Sequence, residues 1–151
     1  MSTTTHETTT VLAVSAHVRH LILRTHALFL IIASIVGLVM DLSGIFLSKG
    51  PEAAIIRVAP YTGVGFVEAH GLAFIIGVAL WGVAPLGRWH LTGAAIAVLL
   101  GASNVVFWQT FIALDLLPAG YVTTSLHCVF AVLQLVAAAS ARTSAHKTMH
   151  W

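Results

Sequence analysis

Four long apolar stretches, separated by polar or proline-containing breaks, set the pattern of this chain. They cover about residues 21–47, 65–83, 89–114 and 121–141. A helix rises 1.5 Å per residue, so roughly 20 residues cross a hydrocarbon core of about 30 Å. Each stretch meets or approaches that length. Backbone groups in lipid must be satisfied inside the protein, which leaves helices or closed barrels. No ten-residue alternating pattern of a barrel strand competes. The pattern therefore predicts an all-α integral membrane protein, a four-transmembrane-helix bundle within residues 17–141.

The breaks define the connections. Residues 48–64 carry Pro51, Pro60, Lys49, Glu52 and Arg57, and residues 53–58 fit a short interfacial helix or an irregular loop equally well. Pro85 with Gly87, then Asp115, Pro118 and Gly120, mark two tighter turns. Residues 1–16 read as a flexible Thr- and Ser-rich tail, and residues 142–151 as a basic tail. The N-terminal tail lacks the basic start and the apolar length of a signal peptide.

Composition strengthens the membrane reading. Apolar residues make up 58% and charged residues 8% of the 151, against roughly 25% charged in a soluble domain. The net charge of +2 forms no basic stripe, which argues against nucleic acid as a partner. The single cysteine, Cys128, excludes an internal disulfide and a cysteine-cluster metal site. Arg19, Arg24, Arg88, Arg142 and Lys147 fall on one side of the predicted membrane, and Lys49 and Arg57 on the other. Positive-inside bias then places both termini in the cytoplasm, in a plasma membrane of the bacterial inner-membrane type. Trp81, Trp89, Trp108 and Tyr121 lie near segment ends, as interfacial anchors do.

A weak internal correspondence exists. The second segment begins GFVEAHGLAF and the fourth begins GYVTTSLHCVF, while His26 and Asp41 in the first parallel His90 and Asn104 in the third. The match is short and gapped. It fits either two repeated helical hairpins or chance likeness between apolar helices.

The candidate chemistry lies in the polar residues inside the spans. Alternating helix direction puts Asp41, Glu68, His70, Asn104 and His127 within roughly 5–15 Å of the non-cytoplasmic boundary. Asp41, Asn104, His127 and Gln134 sit on seams of small residues that allow close helix packing and hydrogen bonding. Glu68 and His70 are about 200° apart around their helix, so only one of them can face the bundle axis. An ionisable group in a span costs roughly 2.5–3.5 kcal/mol on insertion scales, so partners are expected.

Two functions fit this layer. His70 and His127, at similar depth on parallel helices, suit axial ligation of a b-type haem, or a transition-metal site completed by Asp41 or Glu68. That describes a redox subunit of respiratory type. Asn104 and Gln134 then serve as interhelical packing, and His26 with His90 form a second, more peripheral pair. The alternative needs no cofactor: Asp41, Glu68 and the histidines titrate in a proton-responsive transporter, or in an accessory or assembly subunit. Either function expects lipid around the chain and either a homo-oligomer or a larger membrane complex. No phosphate-binding glycine loop, His-Glu-x-x-His helix or nucleophile turn is present, so enzyme status stays open.

Overall fold

A computed structural model describes residues 14–148, and every element in that range is helical. The order is α1 (Ala16–Leu47), α2 (Ala53–Val58), α3 (Tyr61–Gly82), α4 (Gly87–Val106), α5 (Trp108–Ala113) and α6 (Leu117–Thr148). Four stretches are long and apolar enough to cross a membrane: α1, α3, α4 and Leu117–Arg142 of α6. The expected tail 1–13 and residues 149–151 lie outside the described residues.

The helix ends differ from expectation for local reasons. α1 begins five residues early because Ser15 caps it, its hydroxyl accepting from the Val18 N–H at 3.3 Å. It ends at Ser48, which enters the left-handed region at φ 51°. α2 is the short helix that residues 53–58 allowed. α6 starts at Leu117 and takes Pro118 into its first turn, where a missing N–H does no harm. It continues through residues first read as a tail.

The third apolar stretch is not one helix. It breaks at Phe107 (φ −98°, ψ 27°) into α4 and α5. The break folds α5 back onto the start of α6: Trp108 meets Tyr121 edge-on at 4.8 Å between ring centroids. Phe111 lies over Gly120 so closely that a Cβ there would sit 2.8 Å from its ring.

The long helices pair as two antiparallel hairpins, α1 with α3 and α4 with α6. α1 also packs on α6 and, lightly, on α4, whereas α3 has α1 as its main long-helix neighbour. The bundle is therefore open on the far side of α3. In the first hairpin the backbones nearly touch, since a Cβ on Gly77 would lie 3.1 Å from both the Ala27 oxygen and the Ile31 nitrogen. Arg24 of α1 lies over the Trp81 ring of α3 at 4.7 Å, closing the other end of that hairpin. Leu23, Ala27, Leu30 and Leu80 form the apolar core, flanked by Ile76, Trp89, Ile96 and Leu100.

Candidate functional site

The polar residues gather in two clusters rather than one layer. The first lies near the α2 end of α1. Asp41 is fully buried, and its Oδ2 meets His70 Nδ1 of α3 at 2.8 Å. His70 keeps about a third of its side chain exposed. Its ring lies directly over Gly37, where any side chain would overlap it. Asp41 Oδ1 has no partner within the protein.

Glu52, next to the start of α2, completes this cluster. It is 7% exposed. Burial, aided by the neighbouring Asp41 carboxylate, pushes its carboxyl from 4.5 up to about 8. At neutral pH Glu52 therefore holds its proton.

Glu68 points elsewhere. It is exposed and lines a groove of about 600 Å³ with Arg57, between the end of α1, α2 and α3. Helical geometry thus sends His70 toward α1 and Glu68 outward.

The second cluster lies toward the other end of α1. His26 and His90 are both fully buried. Gln134 of α6 bridges them: its Oε1 meets His90 Nδ1 at 2.6 Å, and its Nε2 meets His26 Nδ1 at 3.1 Å. Gly93 makes room, because a Cβ there would sit 2.9 Å from the Gln134 amide. His26 stacks on Phe130 with centroids 4.5 Å apart. His26 Nε2 and His90 Nε2 have no protein partner.

His127 lies against α4 and α1. Its Cβ is 3.2 Å from where a Cβ on Gly101 would be, and its ring meets Phe29 edge-on at 5.3 Å. It is near enough to His26 for their charges to interact. Its Nδ1 is buried without a partner. Asn104 donates to Thr123 Oγ1 at 3.1 Å, tying α4 to α6. Among the described residues, no hydrogen bond or ring contact joins His70 to His127, and no three His, Cys, Asp or Glu side chains form a group that could hold a metal.

Two participants escaped the sequence reading. Glu52 was assigned only to a connection, because nothing in its neighbourhood shows that α2 folds back over Asp41. The Gln134 bridge was also missed, and the nearest signal was Gly93 on the facing helix.

What these features define is an all-helical chain with four potential membrane spans and a buried carboxylate–imidazole pair. No family model matches the chain, and no curated protein or solved structure matches it.

Proposed function

We propose that the chain is an integral membrane protein with both termini in the cytoplasm, acting as a proton-responsive transport or accessory subunit. The observation that carries this reading is Asp41, fully buried in a span, paired with His70 at 2.8 Å beside the protonated Glu52. Glu52, raised to about 8, gives the cluster an acid whose charge depends on pH beside the Asp41–His70 pair. The exposed third of His70 leaves the pair accessible from outside the bundle. Such a cluster responds to pH without a cofactor.

A haem or metal held by His70 and His127 has less geometric support. Asp41 holds His70 Nδ1, which leaves Nε2 as the ligating atom, but that nitrogen packs against Gly37 inside the α1–α3 hairpin, while His127 faces Gly101 and Phe29 beside α4 and α1. Each hairpin does place a histidine of its returning helix over a glycine of its outgoing helix, His70 over Gly37 and His127 over Gly101. This supports two repeated helical hairpins. Four helices make a small pathway, so the reading includes a homo-oligomer or a place in a larger complex, in a plasma membrane of bacterial inner-membrane type.

The test is infrared difference spectroscopy of the protein in lipid between pH 5 and 9. Carboxyl and imidazole bands should change in the wild type and disappear in an Asp41→Asn, His70→Gln double variant. Identical difference spectra for the two proteins would sink the reading.

A further inference from the structure

A line of buried polar atoms runs from one end of α1 to the other. Arg19 Nε, His90 Nε2, His26 Nε2, His127 Nδ1, Thr124 Oγ1 and Asp41 Oδ1 are all buried without a partner in the protein. From Arg19 to Asp41, α1 rises roughly 33 Å, about the thickness of a hydrocarbon core. Buried polar groups normally find protein or water partners, and leaving them bare costs about 1–3 kcal/mol each. Five of these atoms belong to side chains of α1, α4 and α6, and Asp41 lies beyond them against His70 of α3; so many bare groups are poorly explained as packing alone.

Neighbouring members are close. Arg19 is near enough to His90 for their charges to interact, and so is His26 to His127. Gln134 joins His90 to His26 directly. Thr124 is one turn above His127 on α6. The step from Thr124 to the Asp41 level is the longest: Phe29 meets His127 and Phe130, and His26 meets Phe130 and Gln134, so the gap is roughly 8–14 Å along the axis and takes a chain of several waters to bridge.

The Gln134 bridge has a chemical consequence. An amide offers one acceptor and one donor. The ring facing its oxygen must carry a proton on Nδ1, and the ring facing its nitrogen must not. His90 Nε2 is then a free acceptor and His26 Nε2 a free donor. Turning the amide over only exchanges these roles. The bridge therefore has a donor at one end and an acceptor at the other, which is the order a proton relay requires.

We infer that the seam between α1, α4 and α6 is a proton path connecting the Asp41–His70–Glu52 cluster to the opposite face of the membrane. The inference rests on the proton-responsive reading above. A proton taken up at His90 Nε2 displaces the Nδ1 proton onto Gln134 Oε1. The amide, converted to its imidic-acid form, releases an Nε2 proton to His26 Nδ1, and His26 sheds its Nε2 proton toward His127. The imidic acid then returns to the amide, water carrying its Oε1 proton to Nε2, while His90 passes its Nε2 proton to Nδ1 and His26 its Nδ1 proton to Nε2 through water, which resets both tautomers. One proton enters and one leaves, each N–H or O–H bond made matches one broken, and no electron moves. The reverse sequence carries protons the other way. The charged and titratable groups along the path are Arg19, His26 and Asp41 of α1, His70 of α3, His90 of α4, His127 of α6, and Glu52 before α2.

The full chain in liposomes containing a pH-sensitive dye, driven by a potassium gradient with valinomycin, measures the path directly. Wild-type vesicles should acidify several-fold faster than protein-free vesicles. Gln134→Leu and His127→Phe should return to the protein-free rate, while Gln134→Glu, which keeps a proton-passing group, should conduct. A wild type at the protein-free rate overturns the inference, and so does a folded Gln134→Leu or His127→Phe that conducts like the wild type. Absent flux with the infrared response of the Asp41–His70 pair intact overturns the path alone, and loss of both overturns the functional reading with it.

Discussion

Replacing Glu52 by Gln isolates the one acid whose protonation differs most between the folded and unfolded chain. Burial, then the neighbouring Asp41, raises its carboxyl from 4.5 to about 8. Between those values the folded chain holds a proton that the unfolded chain has released. Stability therefore falls as pH rises through this window, and changes no further above about 8. At roughly 1.36 kcal/mol per pH unit the whole window amounts to at most about 5 kcal/mol. Gln keeps the size and removes the titration. The assay is reversible unfolding by SDS titration in mixed micelles at several pH values from 5 to 9, for both proteins. The difference, wild type minus Glu52→Gln, cancels the titration of every group that does not interact with Glu52, leaving Glu52 and its coupling to Asp41. It should decline by about 2–4 kcal/mol from pH 5 to pH 8 and then level off. A difference that stays flat, or that grows with pH, refutes the placement of a protonated Glu52 beside Asp41.

Two further outcomes test the packing. Gln134→Leu strands His26 Nδ1 and His90 Nδ1 in a buried seam. Orphaned groups cost about 1–3 kcal/mol each, and interhelical bonds in membranes average about 0.6 kcal/mol, so a loss of about 2–4 kcal/mol is expected. An unfolding free energy within about 0.5 kcal/mol of the wild type contradicts the bridge. Gly77→Val forces α3 off the α1 backbone, which cannot yield as a side chain can. It should destabilise by about 1–3 kcal/mol, whereas Gly82→Ala, whose Cβ meets nothing within 4 Å, should be neutral. Equal effects of the two in the same unfolding assay contradict the close α1–α3 crossing.

Element existence was legible because span length and apolar content are properties of contiguous sequence. The ends were less so. The Thr- and Ser-rich pattern carries the tail past Ser15, yet a serine hydroxyl is a natural cap and starts α1. Pro118 was read as a turn, although proline is equally at home in a first helical turn. The break at Phe107 carries no proline or glycine, and its cause lies in aromatic contacts across the turn to α6. Small-residue seams place Asp41, Asn104, His127 and Gln134 on helix-facing sides, but periodicity gives a face and not a partner. Asp41 therefore pairs with His70 and Glu52, and Gln134 with His26 and His90, in combinations fixed only by tertiary packing.

The hairpin arrangement also fixes where the two clusters can influence each other. Asp41 and His70 join α1 to α3, and α3 has its main packing against α1. His26, Gln134 and His90 join α1 to α6 and α4. α1 is therefore the element common to both clusters. Under the proposed function, a change at the Asp41 cluster would reach the second hairpin along α1, as a shift of its packing or as a proton moving down the proposed seam. Between the clusters α1 presents Leu30, Ser34 and Gly37, each buried. Leu30 belongs to the apolar core, and Gly37 supports the His70 ring. Close packing of this kind transmits small displacements rather than absorbing them. Coupling by displacement then depends on the fit of Leu30 and Gly37, while coupling by proton transfer depends on Gln134 and His127. The two mechanisms place their sensitive residues on different helices.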